Sequence, residues 1–243
     1  MSFLDHIARC NAHDLSNFTP FGVDGRTLGH IRMDNLVYLD RFPDVFTRRA
    51  GGIGLADGLD DYDTRTRAVA TVIRRLADED VVTGWRGEPY PVGGDWGGPY
   101  AFEIERAAAP FFGCRAYGVH INGFVRGDDG LKLWVAARSA DRPVCPGELD
   151  NMIAGGQPVG LGLKQNVIKE AGEEAGVPED MAATAIPVGA ITYVMENEIG
   201  LKPDTTFDFK CNCNLVIIDF CIRHGILPPE HSNYEAILRG LRS

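Results

Sequence analysis

The sequence predicts an α/β protein in two parts. Three observations carry this. Helical and β-type periodicities alternate along the chain instead of segregating into blocks. The second half opens with two apolar, β-rich runs over residues 117–126 and 131–139, joined by the hairpin turn Gly127-Asp128-Asp129-Gly130. A helix over Leu163–Ala175 then follows a Gly155-Gly156 loop and stops at Gly176, with Pro178 beyond. The change of character falls near residues 105–115, giving expected domains of 1–110 and 111–243.

The elements are read in chain order. Residues 1–20 read as a helix with Leu4, Ile7, Ala8 and Leu15 on one side, ending in a turn near Pro20. Residues 29–40 alternate like a strand, with Ile31, Met33, Leu36 and Tyr38 apolar. Residues 55–61 are a Gly/Asp-rich loop. Residues 65–78 form a helix with Ala68, Val69, Val72, Ile73 and Leu76 at helical spacing. Residues 85–99, rich in Gly and Pro, predict no regular element. A loop holds Pro143, Pro146 and Gly147, residues 186–195 read as a strand, and residues 214–225 and 234–241 as helices.

Composition narrows the function classes. The 243 residues are 44% hydrophobic and 24% charged, close to the soluble globular average. With 24 basic and 34 acidic residues the net charge is −10, which disfavours nucleic acid and anionic membranes as partners. A metal ion can still supply local positive charge for a small anionic substrate. The longest apolar run, residues 215–218, is far short of the ~20 a membrane span needs. The N-terminus has no apolar signal core, so a cytoplasmic setting is expected. Cys211 and Cys213 are the only close cysteine pair of six, so the thiols read as reduced and structural and no zinc site is expected.

The stretch that carries chemistry runs from Gly155 to Val177. Glu170, Glu173 and Glu174 stand at i, i+3 and i+4, within an arc of roughly 100° on the helix. Ile168, Ala171 and Ala175 fall on the other side, toward an expected sheet, and Lys169 lies one turn before Glu173. Like-charge neighbours of this kind destabilise a helix by roughly 0.2–0.5 kcal/mol per pair. The bland interpretation is a solvated acidic face. The preceding Gly155-Gly156, where a backbone can approach a ligand closely, favours a ligand-binding one. Carboxylates at this spacing suit a hard divalent cation, above all Mg2+.

The pattern Gly-Gly, then Lys169-Glu170-Ala171, then Glu173-Glu174 and Gly176-Val177, resembles the Nudix box of the Nudix hydrolases. Those enzymes cleave a diphosphate linked to another moiety, using Mg2+ or Mn2+. Two box positions differ: Leu161 stands where a pre-helix Glu is usual, and Lys169 where an Arg is usual, which keeps the charge but loses the planar fork. Residues 104–108, 117–123, 146–156 and 214–225 resemble one branch, the Nudix module fused to fungal thiamine pyrophosphokinase and its plant and bacterial relatives. That branch carries an N-terminal domain of unassigned function.

The resemblance implies an α/β/α sandwich on a mixed sheet, preceded by a smaller α+β domain that narrows access to the site. It implies metal binding by Glu170, Glu173 and Glu174, with Gly155 and Gly156 close to metal or phosphate. Glu173, Glu174 and Lys169 are the expected catalytic residues, Lys169 orienting Glu173. The implied activity is that of a pyrophosphohydrolase acting on a small diphosphate, with thiamine diphosphate or its oxidised analogues converted to the monophosphate. Two alternatives stand beside it: a metal- or nucleotide-binding regulatory module that has lost catalysis, suggested by Leu161, and an enzyme for ADP-ribose-like nucleotide diphosphates. In the resembling proteins roughly forty more residues lie between Asp204 and Phe209, so a segment is expected to be absent there.

Other candidates are weaker. His120 reads as a core or strand-edge histidine. Arg106 and Arg115 could hold phosphate but read first as structural ion pairs. Trp85, Tyr90, Trp96 and Tyr100 could stack on an aromatic ring but read first as loop anchors. Glu196 and Glu198 are candidates for a general base or further ligand. Arg223 and His224 read as helix caps.

Overall fold

The computed structural model describes residues 2–141, 146–196, 200–205 and 210–242. The expected gap between Asp204 and Phe209 involves residues 206–209, which lie outside the described residues. The fold is α/β with mixed strand pairing, the class the sequence predicts. It divides into two compact units, one of Ala12–Ala116 with Val194–Asp204, the other of Met1–Asn11, Tyr117–Tyr193 and Thr205–Ser243.

The helix expected over residues 1–20 is much shorter. Helix α1 spans Phe3–Cys10 and begins at a capping box between Ser2 and Asp5. Asp14 then starts a separate 3-10 turn over Leu15–Asn17, so the apolar residues read as one stripe are split. In the Ala12–Ala116 unit, strands β1 (Phe18–Val23) and β2 (Arg26–Arg32) pair antiparallel around the Asp24-Gly25 turn. The strand expected over residues 29–40 stops at Arg32. Beyond it come a 3-10 turn and helix α2 (Leu36–Leu39), which buries Leu36 and Leu39 at helical spacing. Strands β3 (Phe46–Arg49) and β4 (Gly52–Leu55), absent from the sequence reading, form a second hairpin. A parallel contact between β1 and β4 completes the order β2-β1-β4-β3.

Helix α3 (Tyr62–Asp78) packs Val69, Val72, Ile73 and Leu76 into the core, close to the expected bounds. Asp61 caps it, its carboxylate accepting from the Thr64 N–H at 2.9 Å. Contrary to expectation, the Gly/Pro stretch holds a regular element. Strand β5 (Pro89–Gly93) pairs antiparallel with β6 (Tyr100–Glu105) and buries Tyr90, Pro91 and Val92 in succession. Helix α4 (Ala109–Phe112) follows and buries Phe111 and Phe112.

In the other unit, the apolar run of residues 117–126 splits at Asn122-Gly123 into β7 (Ala116–Ile121) and β8 (Phe124–Gly127). The predicted turn is present: β8 and β9 (Gly130–Leu133) form an antiparallel hairpin around Asp128-Asp129. Strand β10 (Val135–Ala137) pairs with β11 (Leu149–Asn151), and β12 (Ile153–Gly156) pairs antiparallel with β7, Gly155 opposite Val119. Helix α5 (Leu163–Ala175) has the predicted bounds, and Gly176 terminates it in the left-handed region at φ 60°. A short helix, α6 (Glu179–Ala182), comes next.

The strand expected over residues 186–195 is only β13 (Tyr193–Glu196), because Ile186, at 82% exposure, and Val188 bury nothing. The C-terminal part holds β14 (Leu201–Thr205), α7 (Lys210–Arg223) and α8 (Tyr234–Gly240). Among the described residues no helix is long and apolar enough to cross a membrane.

Candidate active site

The candidate site is built from the β12–α5 unit. Strand β12 ends on two glycines, the chain turns through Gln157–Leu161, and α5 runs back over the strand. A Cβ built on Gly155 would lie 2.1 Å from the Glu170 carboxyl carbon. Glu170 therefore lies directly on the Gly155 backbone, where only glycine leaves room.

This corrects the helical wheel. Glu170 is 9% exposed and faces the strand, together with Asn166 and Ala171, whereas Ala175 is exposed. Ile153 and Ala171 form a small core with Ala182, to which Ile168 and Val177 add. Glu173, at 61% exposure of its side chain, stands toward solvent.

Each carboxylate already has a partner. The Lys169 ammonium donates to Glu170 Oε1 and to Glu173 Oε2, 2.9 Å from each. The bond to Glu170 comes first among the causes that hold the Lys169 pKa well above its ordinary value of 10.5, so the side chain stays an ammonium at neutral pH. Glu174 Oε2 accepts from the Ala154 backbone N–H at 2.7 Å. Lys169 thus bridges two carboxylates, where the sequence suggested Glu173 alone.

Among the described residues no group of three His, Cys, Asp or Glu side chains is gathered as a metal-holding cluster. The donor chemistry nevertheless fits a hard cation: three carboxylates on one helix turn, and a site where the Lys169 ammonium is already held between two of them. Glu170, Glu173 and Glu174 are the residues that would hold such an ion, beside the backbone of Gly155 and Gly156.

Buried amides at this site escaped sequence reasoning. Gln157 and Asn166 are 1% and 0% exposed. Asn166 Nδ2 donates to the Gly156 carbonyl at 2.8 Å and to Gln157 Oε1 at 3.0 Å. Gln157 Nε2 donates to the Leu161 carbonyl at 2.5 Å. The available signal was the spacing of Asn166, four residues ahead of Glu170 on one helical stripe. A second buried polar group, also unanticipated, is the ion pair of Arg138 Nη1 with Asp150 Oδ2 at 2.6 Å.

Several of the remaining candidates make structural contacts. Arg106 pairs with Glu88 at 2.8 Å and lies over the Tyr90 ring, while Arg115 donates to the Gly94 carbonyl. Tyr90 is buried, the Tyr100 hydroxyl accepts from the Gly97 N–H, and Arg74 stacks on Trp85 at 3.7 Å. Trp96 is exposed. Glu196 pairs with Arg32 at 2.8 Å and accepts from the Asp14 N–H, within the Ala12–Ala116 unit. Glu198 lies outside the described residues. His120 sits on β7 opposite Ala154. Cys213 is buried near Asp150, and the side chain of Cys211 lies outside the described ones. Arg223 is the basic residue of the last turn of α7, as expected, and pairs with Asp219 one turn back, while the His224 ring just beyond it lies tilted against Phe220 at 4.1 Å.

Comparison with known proteins places this geometry in context. Residues 2–116 match a family described as a domain of unknown function (DUF4743). Over 99% of its length the chain is 36% identical to Nudix hydrolase 20, chloroplastic, and 35% identical to Nudix hydrolase 24, chloroplastic, both from Arabidopsis thaliana, covering 78% of each. It is 32% identical to an uncharacterized protein of Saccharomyces cerevisiae over 72% of this chain and 67% of that protein. The two plant alignments run over 291 and 283 positions against a chain of 243 residues, so those relatives carry residues with no counterpart here.

Proposed function

The chain belongs to the Nudix hydrolases, and on that premise we propose that it is a pyrophosphohydrolase acting on a small diphosphate linked to another moiety. The observation that carries this reading is the carboxylate turn of α5, in which Lys169 joins Glu170 to Glu173, Glu170 lies on the Gly155 backbone and Glu174 accepts from the Ala154 N–H.

Water adds to one phosphorus, the bridging P–O bond breaks, and the products are a monophosphate and inorganic phosphate. Mg2+ or Mn2+ bound at the three carboxylates would supply charge neutralisation of the diphosphate and activation of water. The chain's own residues prepare the place. Lys169 neutralises and gathers Glu170 and Glu173 before a cation arrives, and the side-chain-free Gly155 lets the Glu170 carboxylate sit on the strand. Burial of Glu170 keeps bulk water from one side of the site.

Thiamine diphosphate, or an oxidised analogue, is the proposed substrate. The chain's resemblance to the module fused to fungal thiamine pyrophosphokinase supports it. The proposed partner is that small molecule, with no nucleic acid and no membrane, in keeping with the net charge of −10. The described free cysteines, Cys10, Cys114, Cys213 and Cys221, fit a reducing compartment such as the cytoplasm.

A second reading, a metal- or nucleotide-binding module without turnover, is favoured by Leu161 in place of the pre-helix acid. One experiment separates the readings. Purified protein with Mg2+ is incubated with thiamine diphosphate, oxythiamine diphosphate, ADP-ribose and nucleoside triphosphates, and phosphate or monophosphate release is measured. The highest kcat/KM is expected on the thiamine compounds. Higher kcat/KM on nucleoside triphosphates would remove the thiamine reading, and silence on every compound with Mg2+ still bound would favour the binding module.

A further inference from the structure

We propose that Gln157 and Asn166 are positioning residues, an amide clamp that sets the register of α5 on β12 and so places the helix carboxylates. This rests on the hydrolase reading above. Asn166, Glu170 and Glu174 follow one another at i, i+4 and i+8, so they share one stripe of the helix. Their contacts step along the strand in the opposite direction. Asn166 donates to the Gly156 carbonyl at 2.8 Å, Glu170 lies on Gly155, and Glu174 accepts from the Ala154 N–H at 2.7 Å. Three consecutive strand residues are thus read by one stripe of α5, and a slip of the helix along β12 would displace both carboxylates together.

Only one of those contacts can hold the register through a catalytic cycle. Glu170 and Glu174 are the groups that would turn to a cation, so their own contacts change when one binds. The Asn166 amide is uncharged and 0% exposed, and its bond to Gly156 is independent of metal. Its Oδ1 has no partner among the described residues, so the two Nδ2 bonds fix the orientation of the amide.

Gln157 completes the clamp. Its Oε1 takes the second Asn166 proton at 3.0 Å, and its Nε2 reaches the Leu161 carbonyl at 2.5 Å, closing the turn between strand and helix on itself. At the helix start the Gly162 N–H donates to Gln165 Oε1 at 3.1 Å, so the turn is fastened at both ends. Buried amides with matched partners specify one arrangement, because any other leaves polar groups unpaired.

The test uses the full chain with Asn166→Ala, Gln157→Ala and Gln157→Glu, each studied well below its own Tm. The Glu variant keeps the acceptor for Asn166 and removes the donor to Leu161, so it loosens the turn while sparing the helix contact. Three quantities are read: amide hydrogen exchange across residues 157–166, Mg2+ affinity by calorimetry with magnesium chloride alone, and kcat and KM on the diphosphate that the wild type turns over best. Asn166→Ala is expected to speed exchange through the turn and the first helical turn. It is expected to weaken Mg2+ binding and lower kcat by about ten-fold or more, with KM within about two-fold. Gln157→Glu is expected to speed exchange in the turn alone.

A residue that merely packs would lower Tm and leave the Mg2+ affinity and kcat of the folded protein intact, and that result would overturn the proposal. A wild type silent on every diphosphate removes the hydrolase reading, but exchange and the Mg2+ titration still read the clamp. Unchanged exchange in both alanine variants sinks the clamp whatever the activity.

Discussion

Lys169 shows how one residue sets the electrostatics of this site. The hydrogen bond to Glu170 is the first cause of its raised pKa, with Glu173 adding to it. A folded value above the unfolded 10.5 means that its stabilisation is fully present below pH 10.5 and is lost as pH climbs through the folded value. Lys169→Met should therefore lower stability at pH 8 by about 1 kcal/mol, a modest figure because solvent screens the ammonium. The Tm gap to the wild type should begin to narrow only above pH 10.5 and close as pH climbs through the folded value, and a thermal melt series over pH checks this. The acids give a second prediction. Glu173→Gln and Glu174→Gln should each lower kcat about 100-fold. Both should fold, since the side-chain oxygen of a glutamine in place of Glu174 can still accept from the Ala154 N–H. Near-normal Mg2+-dependent turnover in either variant would refute the ligand assignment. At this scale the placement of Glu170, Glu173, Glu174 and Lys169 on one helix was legible from their spacing, but not that Glu170 is buried.

Among the elements, β12 and α5 work as a unit. Gly155→Ala would put a methyl group 2.1 Å from the Glu170 carboxyl carbon, so Glu170 must leave its place on the strand. The expected outcome is a loss of about 1–3 kcal/mol in stability, as for overpacked cores, together with most of the activity. Denaturant unfolding and steady-state kinetics measure the two. The bounds of α5 and the Gly127–Gly130 turn were legible because cap and turn chemistry are local. The first helix and the β2–α2 boundary were not. Apolar residues at a permissive spacing are compatible with both periods, and only the sheet partner of β1 and the packing of Leu36 and Leu39 decide between them.

For the whole molecule, the four described free cysteines predict that a reducing agent leaves Tm unchanged, which a melt with and without dithiothreitol checks. The periodicities were enough, by themselves, to predict an α/β chain, and the pattern from Gly155 to Val177 was enough to show a resemblance to the Nudix hydrolases. These follow from counts and from contacts within a few residues, where local rules suffice. The tertiary structure decided which side of α5 is buried, that Glu174 is tied to Ala154, that Glu196 pairs with Arg32, and that two amides lie beneath the turn. Each depends on a neighbour chosen by strand pairing and by which surface a helix covers. Burial and hydrogen-bond satisfaction across such distances are properties of the packed chain, not of any window of its sequence.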